Sequence, residues 1–287
     1  MKLILILTAI GVPVLAIISI VSIRRRLRRK KLMALPFPSA WESILQRTVT
    51  LYRHLPSALK QQLQADIHLF LAEKNFEGAG GLEMSDEIRV TIAAQACMLL
   101  LNRNDRNYPG LDSIVVYPGA YVATKRVSLG TTYVEEPSVR LGESWHRGTV
   151  VLAWDQVQQD AHYPESGHSV VLHEFAHQLD QEDGRSDGVP LLESRSGYAA
   201  WARILSREYL QLQQDIEHHR KSLLDTYGAT NPAEFFAVAT EAFFTRPQQM
   251  QHKEPELYTE LKEYYKVDPA EWVARNLFLS ENINSEQ

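Results

Sequence analysis

At 287 residues, with 45% hydrophobic and 23% charged side chains, the chain has the composition of a folded globular protein and not of a disordered one. Its single cysteine, Cys97, excludes an intramolecular disulfide and any paired-thiolate zinc or dithiol redox centre. Charge is uneven: eight of the 30 Lys/Arg and none of the 35 Asp/Glu fall in residues 1–31, leaving a net of −13 from residue 32 onward, which argues against nucleic acid as a partner.

The chain opens on an apolar segment. Leu3 to Ile23 runs 21 residues without a charge, enough for a helix rising about 1.5 Å per residue to cross a hydrocarbon core of about 30 Å. Gly11 and Pro13 are tolerated in such a span. Arg24-Arg25-Arg26-Leu27-Arg28-Arg29-Lys30-Lys31 follows directly, and positive charge beside a span stays on the cytoplasmic face. A transmembrane helix with a basic juxtamembrane segment is therefore predicted over 1–31, with the remainder facing the cytoplasm. A cleaved signal peptide fits less well, because its charge would lie on the wrong flank and no small-residue cleavage site follows.

Residues 32–270 read as one domain and 271–287 as a tail. Ser39 to Leu55 and Ser57 to Asn75 are amphipathic and predict helices broken at Pro56. Ser85-Asp86-Glu87 predicts a cap and acidic first turn for a buried helix reaching Asn102. Cys97 lies in the apolar run Ala93 to Leu101 of that helix and reads as a structural thiol. The middle of the chain is β-branched and aromatic, predicting strands at Ser113–Tyr117, Tyr121–Thr124 and Thr149–Trp154. Thr149–Trp154 reads either as a strand that pairs with an extended peptide or as an ordinary core strand. Helices return at about 167–180, 195–220, 232–244 and 255–265. Strands clustered between helical blocks predict an α+β domain, mainly helical with a small sheet.

Chemistry concentrates in His173-Glu174-Phe175-Ala176-His177. On a helix, positions i and i+4 share a face, so both imidazoles can reach one ion. Glu174 then sits beside the first ligand, placed to move a proton from water to a leaving amine. Apolar Val170-Val171-Leu172 before the motif and Phe175, Ala176 and Leu179 within and after it supply the buried setting. Catalytic zinc usually takes three protein ligands and keeps an open position. Asp180 and Asp183 occupy the positions where a three-histidine site would need Gly and His, which excludes that class. Glu234 and Glu241 stand in an otherwise apolar helix after Pro232 and share a face; one can bind the metal while the other orients a histidine. Asp180 reads either as an acceptor for a histidine N–H or as a cap. Arg185 and Arg195 read as substrate-carboxylate contacts or as surface charge. His162, His168, His218 and His219 have no supporting spacing.

Three blocks carry a resemblance. His173 to Asp180 with Asp183-Gly184 and Gly188-Val189-Pro190, Tyr227-Gly228-Ala229-Thr230-Asn231-Pro232-Ala233-Glu234-Phe235-Phe236-Ala237-Val238, and Gly142-Glu143-Ser144-Trp145 with Leu152-Ala153-Trp154 are similar to the Mlc titration factor A family of bacterial zinc peptidases, of the glucose-regulated type. The resemblance covers roughly residues 36–270. It implies a zincin-like domain, Zn2+ held by His173, His177 and Glu234, Glu174 as general base and Tyr227 as oxyanion partner. It also implies a peptide or protein substrate, and with the predicted span it places the chain in a bacterial inner membrane. A second reading follows from the same resemblance: a regulatory binding protein that sequesters a transcription repressor, with peptidase activity incidental.

Overall fold

The computed structural model describes residues 2–103, 107–129, 132–140, 142–145 and 148–272. A 32-residue helix, α1 (Lys2–Met33), opens the chain. Its described side chains leave Leu15, Ile17, Ile18, Ile20, Val21 and Ile23 between 50% and 65% exposed. Among the described residues no helix is long and apolar enough to cross a membrane. The side chains of residues 1–14, which include the first half of the predicted span, lie outside the described residues. At its far end α1 meets α4 (Ser57–Glu73) through Arg29, which donates from two nitrogens to the Glu73 carboxylate at 2.8 and 2.7 Å. Asn107 Nδ2 donates to the same carboxylate at 2.8 Å.

The helix predicted over Ser39–Leu55 is two helices, α2 (Ser39–Thr48) and α3 (Thr50–His54). Val49 between them leaves helical geometry (φ −114°, ψ 95°) while its amide still reaches Leu45 O at 3.0 Å. Its branched side chain is fully buried there. Leu55 stops α3 because a residue preceding proline is held extended. α4 ends at Glu73, and Asn75–Gly78 is a strand, β1, that four residues without alternation do not announce. Ser85 caps α5 (Asp86–Met98) by accepting from the Ile88 amide, as predicted. The α-helix stops at Met98, short of the predicted Asn102, which takes positive φ. Cys97 is buried, and burial pushes its thiol well up.

Five further strands follow: β2 (Ser113–Tyr117), β3 (Tyr121–Leu129), β4 (Thr132–Arg140), β5 (Gly142–Trp145) and β6 (Thr149–Ala153). One sheet has the order β1-β2-β6-β5, the first three parallel and β5 antiparallel at the edge. β3 and β4 form a separate antiparallel ribbon. The strand predicted over Thr149–Trp154 therefore has both edges taken, by β2 and by β5. It is a core strand, and the edges of this sheet belong to β1 and β5. Trp154 instead starts α6 (Trp154–His162), a helix not read from the sequence.

The remaining helices are α7 (Val170–Asp180), α8 (Arg195–Glu217), α9 (Pro232–Thr245), α10 (Pro247–Lys253) and α11 (Pro255–Tyr265). The fold is thus mainly helical with a small sheet. One hydrophobic core runs from Leu45 to Trp272; the tail beyond residue 272 lies outside the described residues. Phe175 of α7 packs on Tyr108 and Phe70, ring centroids 4.9 and 5.8 Å away. Phe243 of α9 stacks on Tyr265 at 5.7 Å and meets Phe244 and Tyr258 at 5.1 Å. These aromatic contacts fix the two helices that carry the site. Truncating Phe243 to Ala should cost about 3–5 kcal/mol, read as a lower urea midpoint with unchanged slope.

Candidate metal centre

α7 starts where three buried polar contacts satisfy its first amides. Ser169 Oγ accepts from Leu172 N at 3.3 Å, and Asp160 Oδ2 accepts from Val170 N at 2.8 Å. The Ser169 amide donates to Glu241 Oε2 at 2.6 Å, although Glu241 is 72 residues away on α9. Leu172, Phe175, Ala176 and Leu179 bury one face of α7, which leaves His173 and His177 together on another. α9 is capped by Asn231, whose Oδ1 accepts from Glu234 N at 3.0 Å, with Pro232 in the first helical position. Glu234 and Glu241, seven residues apart, face α7.

Three donor atoms converge. His173 Nε2 and His177 Nε2 lie 3.0 and 3.2 Å from Glu234 Oε2 and 3.2 Å from each other. Bonds of about 2.0–2.1 Å to a tetrahedral ion set donor atoms about 3.3 Å apart, so this trio fits a single small cation. Among the described residues these three are a group able to hold one. The other nitrogen of His173 settles the tautomer. Nδ1–H donates to Glu241 Oε1 at 2.8 Å, so that an ion at the shared centre would take the Nε2 lone pair in place of a proton. Glu241 thus meets the outer nitrogen of His173, and Glu234 lies against the inner nitrogens of both histidines.

The electrostatics agree. Burial disfavours charge on His173, yet its hydrogen bonds to Glu234 and Glu241 raise it well above the usual histidine range. Burial likewise opposes ionisation of Glu234, but His173 and His177 hold it well below the usual carboxylate range. With Glu174 also buried beside them, the cluster favours positive charge at its middle.

Tyr227 enters from a 3-10 turn, Thr226–Ala229, pinned by Asp225 Oδ1 accepting from the Tyr227 amide at 2.7 Å. Its hydroxyl donates to Glu234 Oε1 at 3.4 Å, and its half-exposed ring lies 6.0 Å from that of His173. The fold therefore brings His173, Glu174, His177, Tyr227 and Glu234 together. Asp180 does not take a histidine N–H: its Oδ2 accepts from the Gly188 amide at 3.0 Å. Burial pushes the Asp180 carboxyl up to about 6, against the opposing pull of that amide. Arg185 pairs with Asp183 at 4.0 Å on the surface, and Arg195 is exposed; neither joins the cluster. His162, His218 and His219 are exposed as well.

Gln95 and Trp201 support the site and stand outside every sequence motif. Ser169 Oγ–H donates to Gln95 Oε1 at 3.1 Å, tying α5 to the start of α7. A polar Gln95 inside the apolar run of α5 is the one visible trace of that contact. Gly188 (φ +76°) lies against α9: a Cβ there would sit 2.3 Å from Pro232 O. Trp201 Nε1 donates to the Gly188 carbonyl at 2.9 Å and holds it in place.

Comparison with known proteins follows the same lines. A family model described as glucose-regulated metallo-peptidase M90 matches residues 23–266. An uncharacterized protein of Synechocystis sp. is 44% identical over 245 residues, 84% of this chain and 89% of that protein. Mlc titration factor A of Klebsiella pneumoniae is 30% identical over 241 residues, 82% of this chain and 89% of its own. Mlc titration factor A of Pectobacterium atrosepticum is 29% identical over 249 residues, 85% and 91%.

Gly188→Ala should push the start of α9 and Glu234 away from the histidines, lowering retention of added zinc in equilibrium dialysis against a chelator. Asp180→Asn offers a pH test. A carboxyl raised in the folded state holds its proton up to about 6, so its favourable contribution is present at low pH and lost as pH climbs through that value. With chelator present, the stability of the Asn variant relative to wild type should rise between the ordinary carboxylate range and pH about 6 and stay level above it.

Proposed function

The chain belongs to the glucose-regulated metallo-peptidase M90 family, and from that premise we propose that it is a zinc-dependent peptidase anchored in a membrane, with its catalytic body on the cytoplasmic side. The observation that carries the reading is the convergence of His173 Nε2, His177 Nε2 and Glu234 Oε2 within 3.0–3.2 Å of one another. Two imidazoles and a carboxylate suit zinc, and three protein donors leave a position for substrate or water. When bound, the ion supplies Lewis-acid activation of a water and of the scissile carbonyl.

The chain's own groups do the rest. Glu174, one residue after His173, accepts the proton of the attacking water and delivers it to the departing amine. The Tyr227 hydroxyl, held beside Glu234 by a long bond of 3.4 Å on the half-exposed side of the centre, would shift that bond to the developing oxyanion. Glu241 keeps His173 in one tautomer. The edge strand β5 offers unpaired backbone groups to an extended peptide, with α7 packed against it.

The anchor rests on the uncharged run Leu3–Ile23, the basic residues that follow it, and the apolar side chains from Leu15 to Ile23 left exposed along α1. A second reading has its own support. Several relatives are named Mlc titration factor A, and a binding role toward a transcription repressor needs the body but not the chemistry.

Glu174→Gln should keep zinc and lower kcat on a peptide library by about 10²–10⁴. Undiminished cleavage would remove Glu174 from its role, and full repressor capture with a normal phenotype in that variant would favour the binding reading. Glu234→Ala should lose zinc; loss on Glu241→Ala alone would reverse the ligand assignment. Deleting residues 1–31 should move the protein from an alkali-washed membrane pellet to the soluble fraction.

A further inference from the structure

A cavity of about 360 Å³ is lined by chain neighbours of the residues at the metal centre. Its walls come from the elements that carry the site. His168 precedes the cap of α7, Asp225 and Thr226 precede Tyr227, and Val238 and Ala242 lie along α9 beside Glu234 and Glu241. Its floor is apolar, with buried Leu223 and Leu224. Its rim is cationic: Arg220, Lys221 and Arg246 line it against the one carboxylate of Asp225. That is unusual in a body whose net charge is −13 from residue 32 onward.

The charges differ in how far they are neutralised. Arg220 is paired with Asp215 at 2.8 Å, and His168 stands 3.6 Å from Asp225. Among the described residues Arg246 meets carbonyl oxygens: Nε donates to Glu165 O at 3.1 Å, and its other two nitrogens donate to Ser166 O and Leu223 O. Carbonyls orient a guanidinium without cancelling its charge, and three contacts leave two of its five N–H donors. Gly167 makes this seat: at φ +88°, a Cβ would lie 2.4 Å from Arg246 Cζ. Lys221 is exposed and mobile by chemistry, a long stem ending in a point charge. An apolar floor with a fixed guanidinium and an adaptable ammonium above it fits a short apolar stem ending in a carboxylate.

We propose that this cavity is a specificity subsite that seats a carboxylate-bearing residue of the substrate next to the scissile bond. The proposal rests on the peptidase reading and names its substrate class. The carboxylate comes either from an Asp or Glu side chain or from the substrate's own C-terminus.

The test uses full-length, zinc-loaded protein in detergent and peptides that differ only as Glu against Gln at each position flanking the cleaved bond, each with a free or amidated C-terminus. One position should favour Glu over Gln by about tenfold in kcat/KM, or the free C-terminus should be favoured over the amide by as much. Lys221→Ala should erase most of that ratio and Lys221→Glu should invert it. Binding of the same peptides to the Glu174→Gln variant, followed by calorimetry, should show the same order without turnover. Lys221 is exposed, so unchanged thermal melting is expected and guards against misfolding. Cleavage of all peptides at equal rates, or a preference indifferent to Lys221, overturns the subsite. No cleavage and no zinc-dependent binding of any peptide overturns the peptidase reading instead.

Discussion

One imidazole is gripped from both sides. His173 meets Glu234 at Nε2 and Glu241 at Nδ1, at 3.0 and 2.8 Å, and both acids come from α9. A ring held at both nitrogens cannot flip or change tautomer without breaking a buried charged contact. Everything else at the centre follows from this grip, since it sets the rotation of α7 against α9 and so the place of His177. Burying carboxylates is costly unless each is paired. Glu241 is satisfied by an amide at the start of α7 as well as by the histidine, and Glu234 by both histidines and Tyr227. The aromatic packing of Phe175 and Phe243 keeps the two helices in register for that exchange.

The parts legible in the sequence were those governed by local spacing. His173 and His177 at i and i+4, the Ser85 cap, and Asn231-Pro232 before α9 each state their geometry within a few residues. Which of Glu234 and Glu241 lies against both histidines was not, because seven residues put both on one face and nothing local distinguishes them. What separates them is where α7 begins: its first amides face Glu241, and its second and third turns face Glu234. The resemblance implies Glu234 as the ligand, and in the structure Glu234 Oε2 lies 3.0 and 3.2 Å from the two imidazoles. Contacts across long stretches, such as Gln95 with Ser169 and Asp180 with the Gly188 amide, leave only an odd polar residue in an apolar run as their trace.

The strands were read less well for a related reason. β1 and β5 are four residues each, too short for alternation to show, and their identity comes from neighbours in the sheet. β6 is legible as a strand, but that neither of its edges stays open follows from β2 and β5 pairing on its two sides. A residue such as Val49 breaks a helix because its side chain has a buried place to go, which composition cannot reveal.

The bidentate Arg29–Glu73 contact, propped by Asn107, ties the end of α1 directly to the body. Under the anchored reading this makes α1 a post and not a leash. A leash would let the enzyme sweep a volume; a post sets one altitude above the bilayer. Proteins whose cleavable segment never comes to that height would be spared whatever their sequence, and geometry would act as a filter before any side chain is recognised.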